Sequence, residues 1–461
     1  MDIAVYCGNV FSWTDEVCRQ AQGKYTILDY DTVINWVNSH SEGYLVFGTD
    51  VIPYSLFDYP RRPINETPIF KFMERGGIII WAGDVPFLYV DREGKKEGLY
   101  EKGITAFPFG VLNLLGNNPV SITSENTIVG DMLNYEPKDS WRPVEAVPSL
   151  IPISTVRAPN GGKYYSTWIY KYGKGMFVRV YDSQYVNAEY VLSLPQRISQ
   201  LGVGLRIKNF RRFKDFKLVL PKFKIAVILG KNNVGKTSIL EAIGVLKRDN
   251  LMRIKSFRGN KLTEGTSEVE LYYEGQYYEV QFTDTNVTSN KEANVLLIYS
   301  HNFEVPPVDQ GVLRRAMDIL NKFDPNIFYV YLSARNEIRV LFSDKTDLSI
   351  HELGYGYKSL LSFILNIATY NPEIILIDDL ESFAFHPELL KQFYDFLLKL
   401  NVGLVLITTQ SSDIYAYLAE KRSNDVIFVT INDDKYMVFS SEEIFERLYY
   451  EDLRYTALRL K

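Results

Sequence analysis

Apolar and polar positions change period along this chain in a regular way, and the first 200 residues already show it. Short apolar runs over 2–6, 25–28, 44–47 and 78–81 read as strands, while 14–22, 31–39 and 69–74 carry apolar residues at helical spacing. Such alternation predicts an open, largely parallel sheet covered by helices, so 1–200 is expected to be a doubly wound, flavodoxin-like α/β domain. Ligands of these sheets sit beyond the carboxyl ends of the strands, here near Cys7, Gly8, Gly48, Thr49, Gly83 and Asp84. The segment 89–160, rich in Gly, Pro and Asn, is expected to be irregular, a lid or a partner surface. Strands resume in YYSTWIYKYGKGMFVRVYD, where Gly173 and Gly175 suit a hairpin turn.

The pattern restarts in a second expected domain, 201–461. In LRIKNFRRFKDFKL the apolar Leu205, Ile207, Phe213 and Phe216 are interspersed with Arg206, Lys208, Arg211, Arg212, Lys214 and Lys217, an edge strand and a turn. Two readings stay open: a basic, aromatic surface for single-stranded nucleic acid, or a solvated face with an Arg beside a bound nucleotide. A second basic cluster, LKRDNLMRIKSFRGNK, strengthens the first reading if both share a face. SEVELYYEGQYYEVQF predicts a hairpin at Gly275, whose Gln276 and Gln281 are candidates for a metal or water contact and, equally simply, exposed hairpin residues. A strand, a helix near 312–322 and a strand over 328–332 are expected next.

Chemistry enters with FKIAVILGKNNVGKTSILEAIGVL. An apolar strand runs into the loop Gly230, Lys231, Asn232, Asn233, Val234, Gly235, then Lys236, Thr237, Ser238 and a helix. This is the order a P-loop needs: backbone N–H groups wrap a polyphosphate, the lysine reaches its outer phosphates and the threonine hydroxyl can ligate Mg²⁺. Further on, Gly354 and Gly356 form a glycine loop opening a helix, a weak anion site by itself. The apolar strand 374–377 ends in Asp378 and Asp379, with Glu381 a third acid, as expected of carboxylates that hold Mg²⁺ and polarise a water beside a P-loop. The strand 404–407 leads into Thr408, Thr409 and Gln410 at the same edge.

Composition narrows the setting. Of 461 residues, 46% are hydrophobic and 23% charged, as in soluble globular proteins, and the net charge of −5 offers no overall basic field for nucleic acid. Only Cys7 and Cys18 occur, which argues against a disulfide framework and fits a reducing interior; Cys7 is expected to be a small core residue. The absence of a spanning apolar run or a basic leader points to the cytoplasm and no membrane.

Two resemblances follow from these motifs. LVFGTD followed by GGIIIWAGD resembles the class I glutamine amidotransferase-like domains over about the first 190 residues, but neither cysteine lies at a strand-to-helix elbow, so amidotransferase catalysis is not expected. Residues 205–461 resemble the ABC-type ATPases of the SMC, RecF and OLD (overcoming-lysogenization-defect) group, particularly its stand-alone AAA-type members. NFRRF, GKNNVGKTS, ELGYGYKSLL, ILIDDLES with His386 and Pro387, and ITTQSSD carry that resemblance. It implies ATP and Mg²⁺ as ligands and a head-to-tail homodimer with two ATP molecules between P-loop and signature loop. Gly230 to Ser238 then cradle phosphates, Asp378 holds Mg²⁺ through water, and Gly354 and Gly356 cap the partner's γ-phosphate. Departures lie at Gly354 for the signature serine, Asp379 for the catalytic Glu, and, for the switch His, Gln410, whose amide cannot take a proton. Slow hydrolysis is therefore expected, with Lys236, Asp378, Asp379, Glu381 and Gln410 as catalytic candidates and the choice of Asp379 or Glu381 for the water left open. About 110 residues between P-loop helix and signature leave no room for a long coiled-coil arm, and none is left after 440–461, read as a terminal helix, for a TOPRIM nuclease. The expected function is an ATPase that dimerises on ATP and drives its N-terminal domain or a protein partner, in DNA repair or anti-viral defence. The alternative is an ATP-switched sensor whose N-terminal domain binds a small ligand or protein, with no DNA role.

Overall fold

The computed structural model describes residues 2–10, 12, 14–99, 121–159, 161–183, 185–258, 265–283, 285–299, 305–448, 450 and 452. Part of the segment 89–160, the end of the second basic cluster and most of the C-terminal stretch after 448 lie outside the described residues. Two compact units divide the chain, residues 1–204 with 275–277, and residues 205–274 with 278–461.

The first unit is built on a nine-stranded sheet in the order Thr26–Leu28, Ile3–Tyr6, Gly43–Phe47, Gly77–Ala82, Gly175–Val180, Lys163–Tyr172, Leu150–Arg157, Glu125–Asn126, with Val144–Glu145 paired to Lys163–Tyr172. Its first five strands are mutually parallel. The rest is antiparallel, a departure from a purely doubly wound sheet. Helices cover both faces. Ala4, Tyr6, Leu45, Phe47, Ile79 and Trp81 share a core with Val33 and Val37 of Val33–Ser39 and with Ile69, Phe70, Phe72 and Met73 of Pro68–Arg75. The alternate residues Val5, Val46 and Ile80 are equally buried and, by strand alternation, face the other side.

Two expectations fail here. Leu150–Arg157, placed in an irregular segment, is a full sheet strand; Pro152 breaks its alternation, and the register shifts between Pro152 and Ser154 as a bulge absorbs the missing donor. Cys7 and Cys18 are not free thiols: they form a disulfide, with Cys7 half-buried at the end of the first strand. The helix Asp15–Ala21 folds back over that strand end, a return that a spacing of 11 residues does not announce. Gly48 makes room for it, since a Cβ there would lie 2.2 Å from the Cys18 sulfur.

The second unit centres on a six-stranded sheet in the order Val295–Ile298, Ile374–Ile377, Leu404–Thr408, Ile225–Leu229, Val426–Asn432, Lys435–Ser440. All but the last strand are parallel and apolar, as sheets buried on both faces require. Five strands, from Val203–Phe210 to Val287–Ser289, form a second sheet, and Ile327–Leu332, Ile338–Phe342 and Asp347–Ser349 an antiparallel third. The helix Tyr355–Tyr370 packs against Gln310–Leu320 and contributes Leu360, Leu361, Ile364 and Ile367 to the main core. No helix of the described residues is long and apolar enough to cross a membrane.

Candidate functional site

The carboxyl ends of the central strands of the second unit converge. Strand Ile225–Leu229 ends at Gly230, whose φ of 154° excludes a side chain in practice: a Cβ would lie 2.7 Å from the Ile431 carbonyl oxygen. The chain then wraps to Gly235, which caps the helix Lys236–Gly244 in a left-handed conformation with no side-chain acceptor for the first N–H groups. A helix start left open in this way presents donors and the positive end of its dipole to an anion.

Lys236 lies at that start and is 6% exposed. Its ammonium donates to the carbonyl oxygens of Gly230 and Lys231, both at 2.9 Å. Burial pulls its pKa down, against the opposing charges of Asp379, Glu381 and Asp378. The Thr237 hydroxyl donates to both oxygens of Asp378, at 3.1 and 3.0 Å, across 141 residues of sequence. Asp378 is 5% exposed; burial pushes its carboxyl up while hydrogen bonds from Thr408 and Thr237 pull it down. Thr408 stitches the two strand ends together, since its hydroxyl donates to Asp378 at 2.8 Å and accepts the Asp379 N–H at 2.8 Å.

A cleft of about 510 Å³ opens above these groups, lined by Arg211, Arg212, Asn232, Asn233, Gly235, Lys236, Thr237, Ser238, Asp379 and Gln410. Eight of those ten are residues singled out from the motifs. Of the others, Gly230, Lys231 and Val234 shape the loop behind the lining, Asp378 lies beneath Thr237, and Glu381 turns away toward the loop at 409–410. Gly354 and Gly356 line no part of this cleft: Gly354 caps the helix Tyr355–Tyr370 with open space around it, and a Cβ on Gly356 would sit 3.1 Å from the Ala384 carbonyl.

Arg211 and Arg212 are the two lining residues that no phosphate motif names. They form the tight turn between Val203–Phe210 and Phe213–Leu220, where Asn209 and Arg211 hold positive φ. Arg211 pairs with Glu241, a fully buried carboxylate that also accepts the Tyr299 hydroxyl at 3.0 Å; Arg212 pairs with Asp433. The basic run was the signal for them. With Arg206 on Asp215 and Lys208 on Glu268, four of its six cations meet carboxylates, which weakens the nucleic-acid reading. Gln281 likewise donates to Glu268 and Glu279 rather than entering the cleft. No group of three or more His, Cys, Asp or Glu poised for a metal occurs among the described residues.

Residues 204–305 match the family model of the AAA ATPase domain, and residues 35–201 match that of the MJECL34 family, in place of an amidotransferase-like domain. A curated protein of Methanocaldococcus jannaschii, the uncharacterized protein MJECL34, is 29% identical over 182 residues, 37% of this chain; the match spans 58% of that protein's length. Solved structures similar to the chain include an Smc head bound to the C-winged helix domain of ScpA, 15% identical, covering 53% of this chain and 99% of that one at a TM-score of 0.41. The SMC head domain of Thermotoga maritima covers 52% and 98% at 14% identity and 0.35, and an ATP-binding cassette of an ABC transporter in its ADP conformation 54% and 95% at 17% and 0.34.

Proposed function

We propose that the second unit binds ATP with Mg²⁺ and hydrolyses it slowly to ADP and phosphate, and that two copies close head to tail around two nucleotides. The observation that carries this reading is the meeting of Thr237 and Asp378 beneath an open helix start, 3.0 Å apart at the floor of a polar cleft. A hydroxyl and a carboxylate side by side are hard oxygen donors that fit Mg²⁺, which takes one or two such protein ligands together with substrate phosphates. When bound, the ion would neutralise phosphate charge.

The chain's own residues do the rest. The amides of Gly230 to Ser238 wrap the phosphates, and Lys236 exchanges its two loop carbonyls for their outer oxygens. Asp379 orients the attacking water from the wall of the cleft; its short side chain and the inability of Gln410 to accept a proton make turnover slow. Gly354, exposed with open space around it, and the half-buried Gly356, both away from their own cleft, serve the nucleotide of the second copy. The first unit is the part moved or the part that meets a protein partner, in a cytoplasmic setting, with DNA as a candidate stimulator.

The test is mass by light scattering with and without Mg²⁺ and ATP, for wild type and Lys236→Ala, with phosphate release in the same samples. A lasting ATP-dependent dimer and slow phosphate release in the wild type alone are expected. A mass indifferent to ATP together with no phosphate removes the proposal. DNA-stimulated turnover would favour repair or defence, and stimulation by a small molecule without DNA affinity would favour the sensor reading.

A further inference from the structure

Two acids follow Asp378, and their surroundings separate them. Asp379 lines the cleft beside Lys236, Thr237 and Gln410. It does so from a left-handed conformation, φ 50°, which is uncommon for residues with a side chain and which Asp adopts more readily than most. Glu381, in the 3₁₀ turn Leu380–Phe383, points elsewhere. One of its oxygens accepts the Thr409 hydroxyl at 2.6 Å and the other the backbone N–H of Gln410 at 2.9 Å. Thr409 is fully buried and its hydroxyl also accepts the Ser411 N–H at 3.1 Å, so the whole turn 409–411 hangs on this carboxylate.

Consecutive residues at the end of one strand thus address two different acids: Thr408 binds Asp378 and Thr409 binds Glu381. Asp379 is held between these two ties by its own N–H on Thr408. Bonds from N–H and O–H groups to a carboxylate are shorter and stronger than neutral ones, so the pair forms a stiff clasp between the two loops that bear Asp379 and Gln410.

We infer that Glu381 is a positioning residue, a latch that fixes the loop 409–411 so that Gln410 and the water-orienting Asp379 face one point in the cleft. This rests on the ATPase reading above for its kinetic part, while the latch itself is measurable in protein free of nucleotide.

The experiment combines hydrogen exchange at the Gln410 amide, without nucleotide, with steady-state ATP turnover for wild type, Glu381→Ala, Glu381→Gln, Thr409→Val and Asp379→Asn. In Glu381→Ala the Gln410 amide loses its acceptor and exchanges faster, kcat falls about 100-fold because the loop drifts by about an ångström, and KM stays within about threefold. Glu381→Gln keeps one acceptor oxygen and loses only about tenfold. Thr409→Val, which breaks the clasp from the other side with Glu381 in place, reproduces part of the loss and guards against a misfolded alanine variant. Asp379→Asn stops turnover while ATP still binds. Equal loss in Glu381→Ala and Glu381→Gln, with unchanged exchange at Gln410, would overturn the latch and make Glu381 the acid on the water. Unchanged kcat in Glu381→Ala would overturn the positioning role. A wild type that releases no phosphate, yet whose Gln410 amide responds to Glu381→Ala, overturns the ATPase reading and leaves the latch standing.

Discussion

Both units place polar residues beyond the carboxyl ends of parallel strands, yet the two edges are put together in opposite ways. In the second unit Lys236, Thr237, Asp379 and Gln410 converge on a cleft of about 510 Å³. In the first, the residues in the corresponding place satisfy one another. Cys7 is bonded to Cys18; Asp50, 3% exposed, accepts the Ser12 hydroxyl at 2.8 Å; Asp84 pairs with Arg142 at 3.2 Å. Asp182, where the strand Gly175–Val180 gives way to a loop, accepts from Ser140, Trp141 and Arg142, and the fully buried Arg179 lies within its field. Topology supplies an edge in both cases. What separates a candidate site from an internal polar lock is whether the groups face space or each other.

Substitutions sharpen that contrast. Lys236→Ala is expected to have the largest effect, more than about 100-fold in kcat/KM for ATP with folding intact, since it removes a fixed charge from the place where phosphate charge develops; phosphate release and melting temperature measured together check it. Asp182→Ala should do the reverse. Leaving Arg179 buried without its main counter-charge costs about 3 kcal/mol of first-unit stability with ATP binding unchanged, read by denaturant unfolding and nucleotide titration. Replacing both Cys7 and Cys18 by serine releases a loop of about a dozen residues and should cost roughly 2–3 kcal/mol, again without touching turnover. A loss of ATP binding in either first-unit variant would break the comparison.

The smallest expected effect concerns the basic run. Asp215 is held below the usual carboxylate range first by its hydrogen bond from Arg206. A lowered carboxyl contributes stability above its unfolded pKa and loses it as pH falls through the native value. Asp215→Asn should therefore cost about 0.5 kcal/mol at pH 7, where the exposed pair is formed, and less at about pH 2, where protonation competes with the pair. A thermal melt at the two pH values decides it. If Asp215→Asn instead confers measurable affinity for single-stranded DNA, the run is a masked nucleic-acid surface.

How far the residues alone carry the reading differs from motif to motif. The phosphate loop is legible because its requirements are local: a strand, a glycine with an extreme φ at 230, a left-handed glycine at 235 and a lysine at the helix start lie within a dozen residues. The acid-ended strand 374–377 is legible for the same reason. Leu150–Arg157 is not, because a proline inside a strand looks like a loop until its neighbours show that the ladder is bridged by a bulge. The disulfide escapes notice because a spacing of 11 says nothing of how a helix returns over a strand.

Strand and helix order, the phosphate loop with its lysine and threonine, and the acids at 378, 379 and 381 were therefore determined by the sequence, since periodicity and turn chemistry act over a few residues. Tertiary structure alone decided which distant groups meet. Thr237 reaches Asp378 across 141 residues, Arg211 finds the buried Glu241, and Glu381 spends both oxygens on the loop at 409–410 rather than on the cleft. The physical reason is that hydrogen bonds and ion pairs act over about 3 Å, and only sheet register and packing bring strand ends that close.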